Sequence, residues 1–382
     1  MQPSDKTFYE SLCSDLPDNR RKIGKVHFLP FVLAGFIIAI ICGRKNRSSA
    51  QRFMSNNHDF LCKATCFSAP KAISNAQLGR ILRNLDIIAF NKIIYAHYGV
   101  EIAELSPGEW VALDGKDLKG SIDSQLSSRS EVLVHAIRHS DRAIVVESFY
   151  EGDKESEKLA IRELLKSSKL DSKSVTLDAL HTDPATLEQI AGQSGEYIVQ
   201  VKDNQKELTK DLASKARRLD ALNTIIEHEK GHGRVEKRTY QFFDIHDCVF
   251  DKRWIPCHLN SLIVVDRYFD VIKSGKVMKE QSFYITNVAI LQEDIKKITA
   301  NLAQGVRGHW TIENVHQIRD VTFKEDKIRT TRGTYSKAYA IVITLAFACL
   351  NKVKPDNFAA LIETFIDNKD KLLEFLHQIK FV

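Results

Sequence analysis

Three acidic residues stand in settings that suit metal-dependent phosphoryl transfer. Asp114 closes the apolar run Trp110-Val111-Ala112-Leu113 and opens Asp114-Gly115-Lys116. Asp178 closes Val175-Thr176-Leu177 and opens Asp178-Ala179-Leu180-His181-Thr182. Glu313 lies within a helical pattern, His309-Trp310-Thr311-Ile312-Glu313-Asn314. Two carboxylates at strand ends and a third on a helix can converge on a pair of divalent cations. Two Mg²⁺ ions roughly 3.5–4 Å apart activate a water or hydroxyl and stabilise the leaving oxygen of an in-line displacement at phosphorus.

Polar and basic residues surround these acids. Lys116 and Lys119 follow Asp114 and can neutralise phosphate, or can form a solvated turn. His181 can touch a scissile phosphate or simply satisfy a helix start. Arg307, His309, Trp310 and Asn314 flank Glu313, with His309 and Trp310 one helical turn before it and on its side. Trp310 can stack on a splayed base or pack in a core. Arg319, Lys324, Lys327, Arg329, Arg332 and Lys337 crowd the same region. That density beside the third acid fits a DNA track, with Lys324 and Arg329 as candidate contacts.

Two other constellations carry less. His228-Glu229-Lys230-Gly231-His232 matches a zinc-protease pattern, but the pattern needs a helix and the glycine weakens one. His58, Cys62 and Cys66 recur every four residues yet lack a fourth ligand, so they read as a buried stripe.

These residues need particular elements to position them. Residues 1–105 read as a helical N-terminal domain, with Gly43 stopping a helix over Phe28–Gly43 and Ser74 capping another. Phe28–Cys42 is too short to span a bilayer and reads as a buried helix. Residues 106–352 read as an α/β domain with an RNase H-like order: three strands, a helix, then strand, helix, strand. In that reading Asp114 ends the first strand and Asp178 the fourth. The interval from Asp178 to Glu313 is too long for one strand and one helix. β-rich runs at Val235–Phe243, Ser261–Val271 and Gln281–Val288 fill it as a β insertion at about 219–288. A helical tail over 353–382 closes the chain.

The 382 residues are 43% hydrophobic and 27% charged, with net charge +6. This is a globular composition whose mild basicity permits nucleic-acid binding without requiring it. Seven cysteines, an odd number with no CxxC pair, read as reduced thiols in a cytoplasmic protein.

The blocks Asp114-Gly115-Lys116-Asp117-Leu118-Lys119-Gly120-Ser121, Asp178-Ala179-Leu180-His181-Thr182 and His309-Trp310-Thr311-Ile312-Glu313-Asn314 together resemble the signature blocks of bacterial insertion-sequence DDE transposases, closest to the H-repeat-associated group. Tyr197–Gln205, His232–Arg238 and Asp320–Asp326 are similar to that family too. The resemblance implies Asp114, Asp178 and Glu313 as metal-binding triad, Mg²⁺ as cofactor with Mn²⁺ able to substitute, and DNA as partner. It also implies end cleavage with strand transfer, a homodimer in the synaptic complex and no membrane partner. Two departures stand out. One residue fewer than the family spacing lies between Asn314 and His316, which turns a helix by about 100° downstream. The family's Arg-Asn pair is missing after Gly333. A catalytically impaired DNA-binding protein and a nuclease that cuts without joining are the alternatives.

Overall fold

The computed structural model describes residues 6–21, 25–100, 102–121, 131–150, 154–231, 234–271, 276–330 and 333–382. Helices come first: α1 (Phe8–Asp15), α2 (Leu29–Ile41), α3 (Arg47–Asn56), α4 (His58–Thr65), α5 (Asn75–Arg83) and α6 (Ile87–Tyr98). Their starts follow capping chemistry. Thr7, Asn46, Ser74 and Asp86 each accept from a backbone N–H of the first turn, meeting donors that have no partner inside the helix. Gly43 follows α2 at φ 71°, the left-handed conformation that glycine adopts without a Cβ clash.

The α/β part runs β1 (Val111–Leu118), β2 (Glu131–Arg138), β3 (Ile144–Tyr150), α7 (Lys154–Ser168), β4 (Ser174–Leu177), α8 (Pro184–Gly192), β5 (Glu196–Val201) and α9 (Lys206–Arg218). Four long strands follow: β6 (Asn223–Gly231), β7 (Arg234–Asp244), β8 (Ser261–Val271) and β9 (Lys276–Thr286). The chain closes with α10 (Ile295–Gly308), α11 (Trp310–Val321), α12 (Thr334–Asn351), α13 (Phe358–Asp367) and α14 (Lys369–Gln378). All strands join one nine-stranded sheet in the order β3-β2-β1-β4-β5-β9-β8-β7-β6. β1, β4 and β5 are mutually parallel where they meet, and the remaining pairs are antiparallel. The protein is thus a mixed α/β structure.

Two expectations are corrected here. Asp114 does not end β1, because Gly115–Leu118 continue the antiparallel ladder with β2. What ends is the parallel ladder with β4, at Leu113↔Leu177. Four strands, not three, lie between α9 and α10. The unforeseen one is β6, which pairs only with β7 in the sheet order and reads Asn-Thr-Ile-Ile-Glu-His-Glu-Lys-Gly. An edge strand faces solvent widely, so its charged residues dilute the apolar signal.

The helices cover both faces of the sheet. On one face α1–α6 and α11–α14 share a core with Ala112, Ile137 and Ile144; Phe8, Phe36, Phe90, Phe347 and Phe381 are fully buried in it. Every residue of α2 is buried, which explains its unbroken apolar sequence. On the other face Ile161, Leu165, Leu187 and Leu208 pack on Leu113, Val134, Val175 and Val199. Each such side chain contributes about 1.5–3 kcal/mol by leaving water. No helix among the described residues is long and apolar enough to cross a membrane.

Candidate active site

Leu113 and Leu177 are paired in parallel register, so Asp114 and Asp178 leave neighbouring strands at the same level. Asp178 turns at once into a short helical turn, its carboxylate accepting from the Leu180 N–H at 3.0 Å. Glu313 arrives in the first turn of α11, just past the break between α10 and α11 at His309. That break is anchored to the sheet. The Thr176 hydroxyl lies 2.9 Å from His309 Nδ1 and 3.0 Å from His139 Nε2, donating to one ring and accepting from the other. Glycines allow the approach, because a Cβ on Gly308 would overlap the His139 ring and one on Gly305 would strike Ile198 and Trp110.

The acids feel one another. Burial first, then the charges of Asp178, Glu157 and Glu313, push the Asp114 carboxyl up to about 8, against a backbone hydrogen bond from Gly115. Burial also raises Glu313, while Lys202 opposes the rise. Clustered carboxylate charge of this kind fits a hard divalent cation. Among the described residues no three His, Cys, Asp or Glu side chains stand close enough to grip one ion together. The acids therefore converge as single carboxylates rather than forming a closed cage.

Asp114 is backed by a polar network that sequence reasoning missed. His316 Nδ1 lies 3.6 Å from Asp114 Oδ2, and its Nε2 is 3.1 Å from His135 Nδ1. The fully buried Arg319 donates to His135 Nε2 at 3.2 Å and to Thr344 at 2.6 Å. It also grips Glu325 with two bonds of 2.8 and 2.7 Å. Thr344 in turn donates to Glu147 at 2.8 Å. Burial holds His135 and His316 well below the usual imidazole range, so both are neutral. Both His316 and Arg319 lie beyond the shortened Asn314–His316 interval, and α11 passes through it unbroken. Only the positive charge clustered after Glu313 hinted at Arg319.

The candidate DNA contacts fall into two groups. Lys116, His181 and His309 are placed against that expectation. Lys116 is buried, 2.6 Å from Asp320 and 3.4 Å from Asp326, and ties β1 to α11 instead of meeting solvent. His181 is fully buried between Glu157 and Asp178, and His309 is buried on Thr176. The others reach the surface. Asn314 and Arg329 are exposed and Lys324 is half-buried. Lys119 is exposed but pairs with Asp326 at 2.8 Å. Arg307 pairs with Glu229 at 2.7 Å. Trp310 is half exposed, with the Arg267 guanidinium 5.4 Å from its ring. Trp310, Arg307 and Asn314 line a groove of about 840 Å³ against β7–β9, together with Arg238, Arg267 and Tyr284.

The weaker constellations resolve simply. His228 and Glu229 lie on β6, not on a helix, and His232 is outside the described residues. Cys62 Sγ is 3.8 Å from His58 Nδ1, while Cys66 sits past the end of α4 at φ 50°. Arg332 also lies outside the described residues.

Residues 133–349, more than half the chain, match the family described as the transposase DDE domain, and residues 11–98 match the DDE_Tnp_1-associated family. The chain belongs to the DDE transposases, enzymes of insertion-sequence-type mobile elements that act on DNA. The match contains Asp178 and Glu313, and Asp114 lies just upstream of it. Among similar proteins, "H repeat-associated putative transposase YhhI" of Escherichia coli K12 is 26% identical over 352 residues, 89% of each chain. "Putative transposase YncI" of Escherichia coli O157:H7 is also 26% identical over 352 residues, 89% of this chain and 86% of its own. "Putative protein YbfL" of Escherichia coli K12 is 26% identical over 89% of both.

Proposed function

We propose that this transposase binds the terminal inverted repeats of its own insertion sequence, cuts DNA at their ends and joins the freed 3′-hydroxyls to target DNA. The observation that carries the reading is the end of the parallel ladder at Leu113↔Leu177, which delivers Asp114 and Asp178 side by side beneath the α11 turn bearing Glu313. The order β3-β2-β1-β4-β5 with α7 and α8 between its strands supports an RNase H-like core, and β6–β9 are its insertion.

Asp114, Asp178 and Glu313 would hold Mg²⁺, with Mn²⁺ able to substitute. The bound ion supplies Lewis acidity at the phosphate and an activated water or hydroxyl. The protein orients the acids. His316 and His135 support Asp114, and Thr176 with His309 fixes the helix turn that presents Glu313. Trp310, Asn314, Arg307, Lys119, Lys324 and Arg329 would meet the DNA, with Trp310 offering a stacking face beside Arg267.

Residues 1–105 form a DNA-binding region in this reading, 106–352 the catalytic domain and 353–382 a tail. Two copies pair the two ends, in the bacterial cytoplasm. The unbroken α11, with His316 turned to Asp114, favours this reading over an impaired DNA-binding protein. Asp114→Asn, Asp178→Asn and Glu313→Gln test it. Each is expected to abolish cleavage, roughly 10³-fold if the ion site supplies several kcal/mol at about 1.4 kcal/mol per tenfold, while end binding persists. Normal cleavage by any one removes that residue from the triad.

A further inference from the structure

A carboxylate outside the triad is built into the same site. Glu157 lies on α7, on the opposite face of the sheet from α11. Its Oε1 is 3.5 Å from His181 Nε2, and the Tyr150 hydroxyl is hydrogen-bonded to it. Gly115, the residue after Asp114, makes room for it, since a Cβ there would stand 2.7 Å from Glu157 Oε1 and 2.8 Å from its carboxyl carbon. A side chain at that position would displace the carboxylate from the strand. Glycine therefore lets an acid from α7 lie directly against the backbone that carries Asp114.

His181 supplies the second, independent observation. The ring is fully buried, and neither Nδ1 nor Nε2 has a hydrogen-bond partner. Its Nε2 faces two carboxylates, Glu157 at 3.5 Å and Asp178 Oδ1 at 3.7 Å. Buried imidazole nitrogens without partners are costly, and such groups are completed by a bound species or its water. His181 thus marks the space between Asp178 and Glu157 as part of a ligand site. The charge of Glu157 is also among the causes that raise Asp114, so the two carboxylates share one electrostatic environment.

We propose that Glu157 is a fourth carboxylate of the divalent-cation site, bringing an acid from α7 to join Asp114 and Asp178 at the ends of β1 and β4. This rests on the reading of Asp114 as a metal ligand. A hard divalent cation gains from each added carboxylate oxygen, and the like-charge repulsion around Asp114 is what it relieves. Asp and Glu at i and j on different elements leave no spacing signature, which is why the chain alone did not disclose this residue.

The test is Mn²⁺ binding to the full-length protein without DNA, followed by the electron paramagnetic resonance signal of free Mn²⁺, for wild type, Glu157→Gln, Asp114→Asn and Tyr150→Phe. Glu157→Gln is expected to weaken Mn²⁺ binding at least tenfold, with a metal-free Tm equal to or above wild type because repulsion is relieved. Tyr150→Phe removes the hydrogen bond but keeps the charge, and is expected to bind Mn²⁺ as wild type does. Wild-type binding by Glu157→Gln, with Asp114→Asn impaired, overturns the role of Glu157 alone. A Tm lowered alike in Glu157→Gln and Tyr150→Phe, with Mn²⁺ binding intact, assigns Glu157 to structure. Wild-type binding by Asp114→Asn, or none by the wild type, overturns the metal reading beneath it.

Discussion

Leu113 and Leu177 form the last pair of the parallel ladder between β1 and β4, and each is followed by an aspartate. The spacing of Asp114 and Asp178 is therefore set by backbone register, not by flexible side chains. Lengthening either by one methylene, in Asp114→Glu or Asp178→Glu, keeps the charge but moves the carboxylate by more than an ångström. A misplacement of that size costs about 10²-fold in rate. Single-turnover cleavage should fall by that order while end binding holds. Wild-type rates in both variants would mean the register does not position the acids.

Arg319 is buried without exposure and gripped by Glu325, with Thr344 and His135 on its other donors. Removing one partner of a buried ion pair leaves an unpaired charge, at a cost of about 3–5 kcal/mol. Arg319→Leu is expected to lose that much in urea denaturation. Arg319→Leu combined with Glu325→Gln should lose less than the sum of the single changes. Additive losses would show that the pair does not act as a unit.

Gly308 touches the His139 ring so closely that no Cβ fits. Gly308→Ala should push the start of α11 off the sheet, costing about 1–3 kcal/mol and lowering cleavage as Glu313 moves. Trimming the ring as well, in Gly308→Ala with His139→Ala, should recover part of the cleavage. No recovery would place the strain elsewhere.

Burial first, then the neighbouring His309, holds His139 down to about 3, against an ordinary 6.5. The unfolded chain takes up a proton at this residue below 6.5, and the folded chain refuses it until far lower pH. His139 thus favours folding above its unfolded pKa, and that advantage is lost as pH falls from 6.5 toward 3. Glu147, raised to about 7 by burial, works in the opposite sense over part of this range, so the variant must isolate the histidine. Between pH 7 and pH 5, His139→Gln should lose less Tm than wild type. Parallel profiles would show that His139 does not contribute.

Much of this was legible in the chain. β-rich runs that each end in an acid disclosed Asp114 and Asp178, because a strand announces itself locally by its apolar residues. The helical pattern placed Glu313. The extent of β1 was missed because pairing with β2 beyond Asp114 depends on a partner strand, and β6 was missed because an exposed edge carries charges. Lys116 reads as a free cation in sequence but faces Asp320 and Asp326 across the fold. Glu157, His135 and His316 were invisible for the same reason: what unites them is contact between elements far apart in sequence. Trp310 could be read as core or as a stacking surface, and its half exposure beside Arg267 supplies what spacing could not.

Cleavage and strand transfer on labelled DNA bearing the element's own ends, with Mg²⁺ and with EDTA, test the central claim most directly. The expected result is nicking at the repeat boundary with Mg²⁺ only, followed by products joined to target DNA. Binding of the ends without any Mg²⁺-dependent nicking would contradict it.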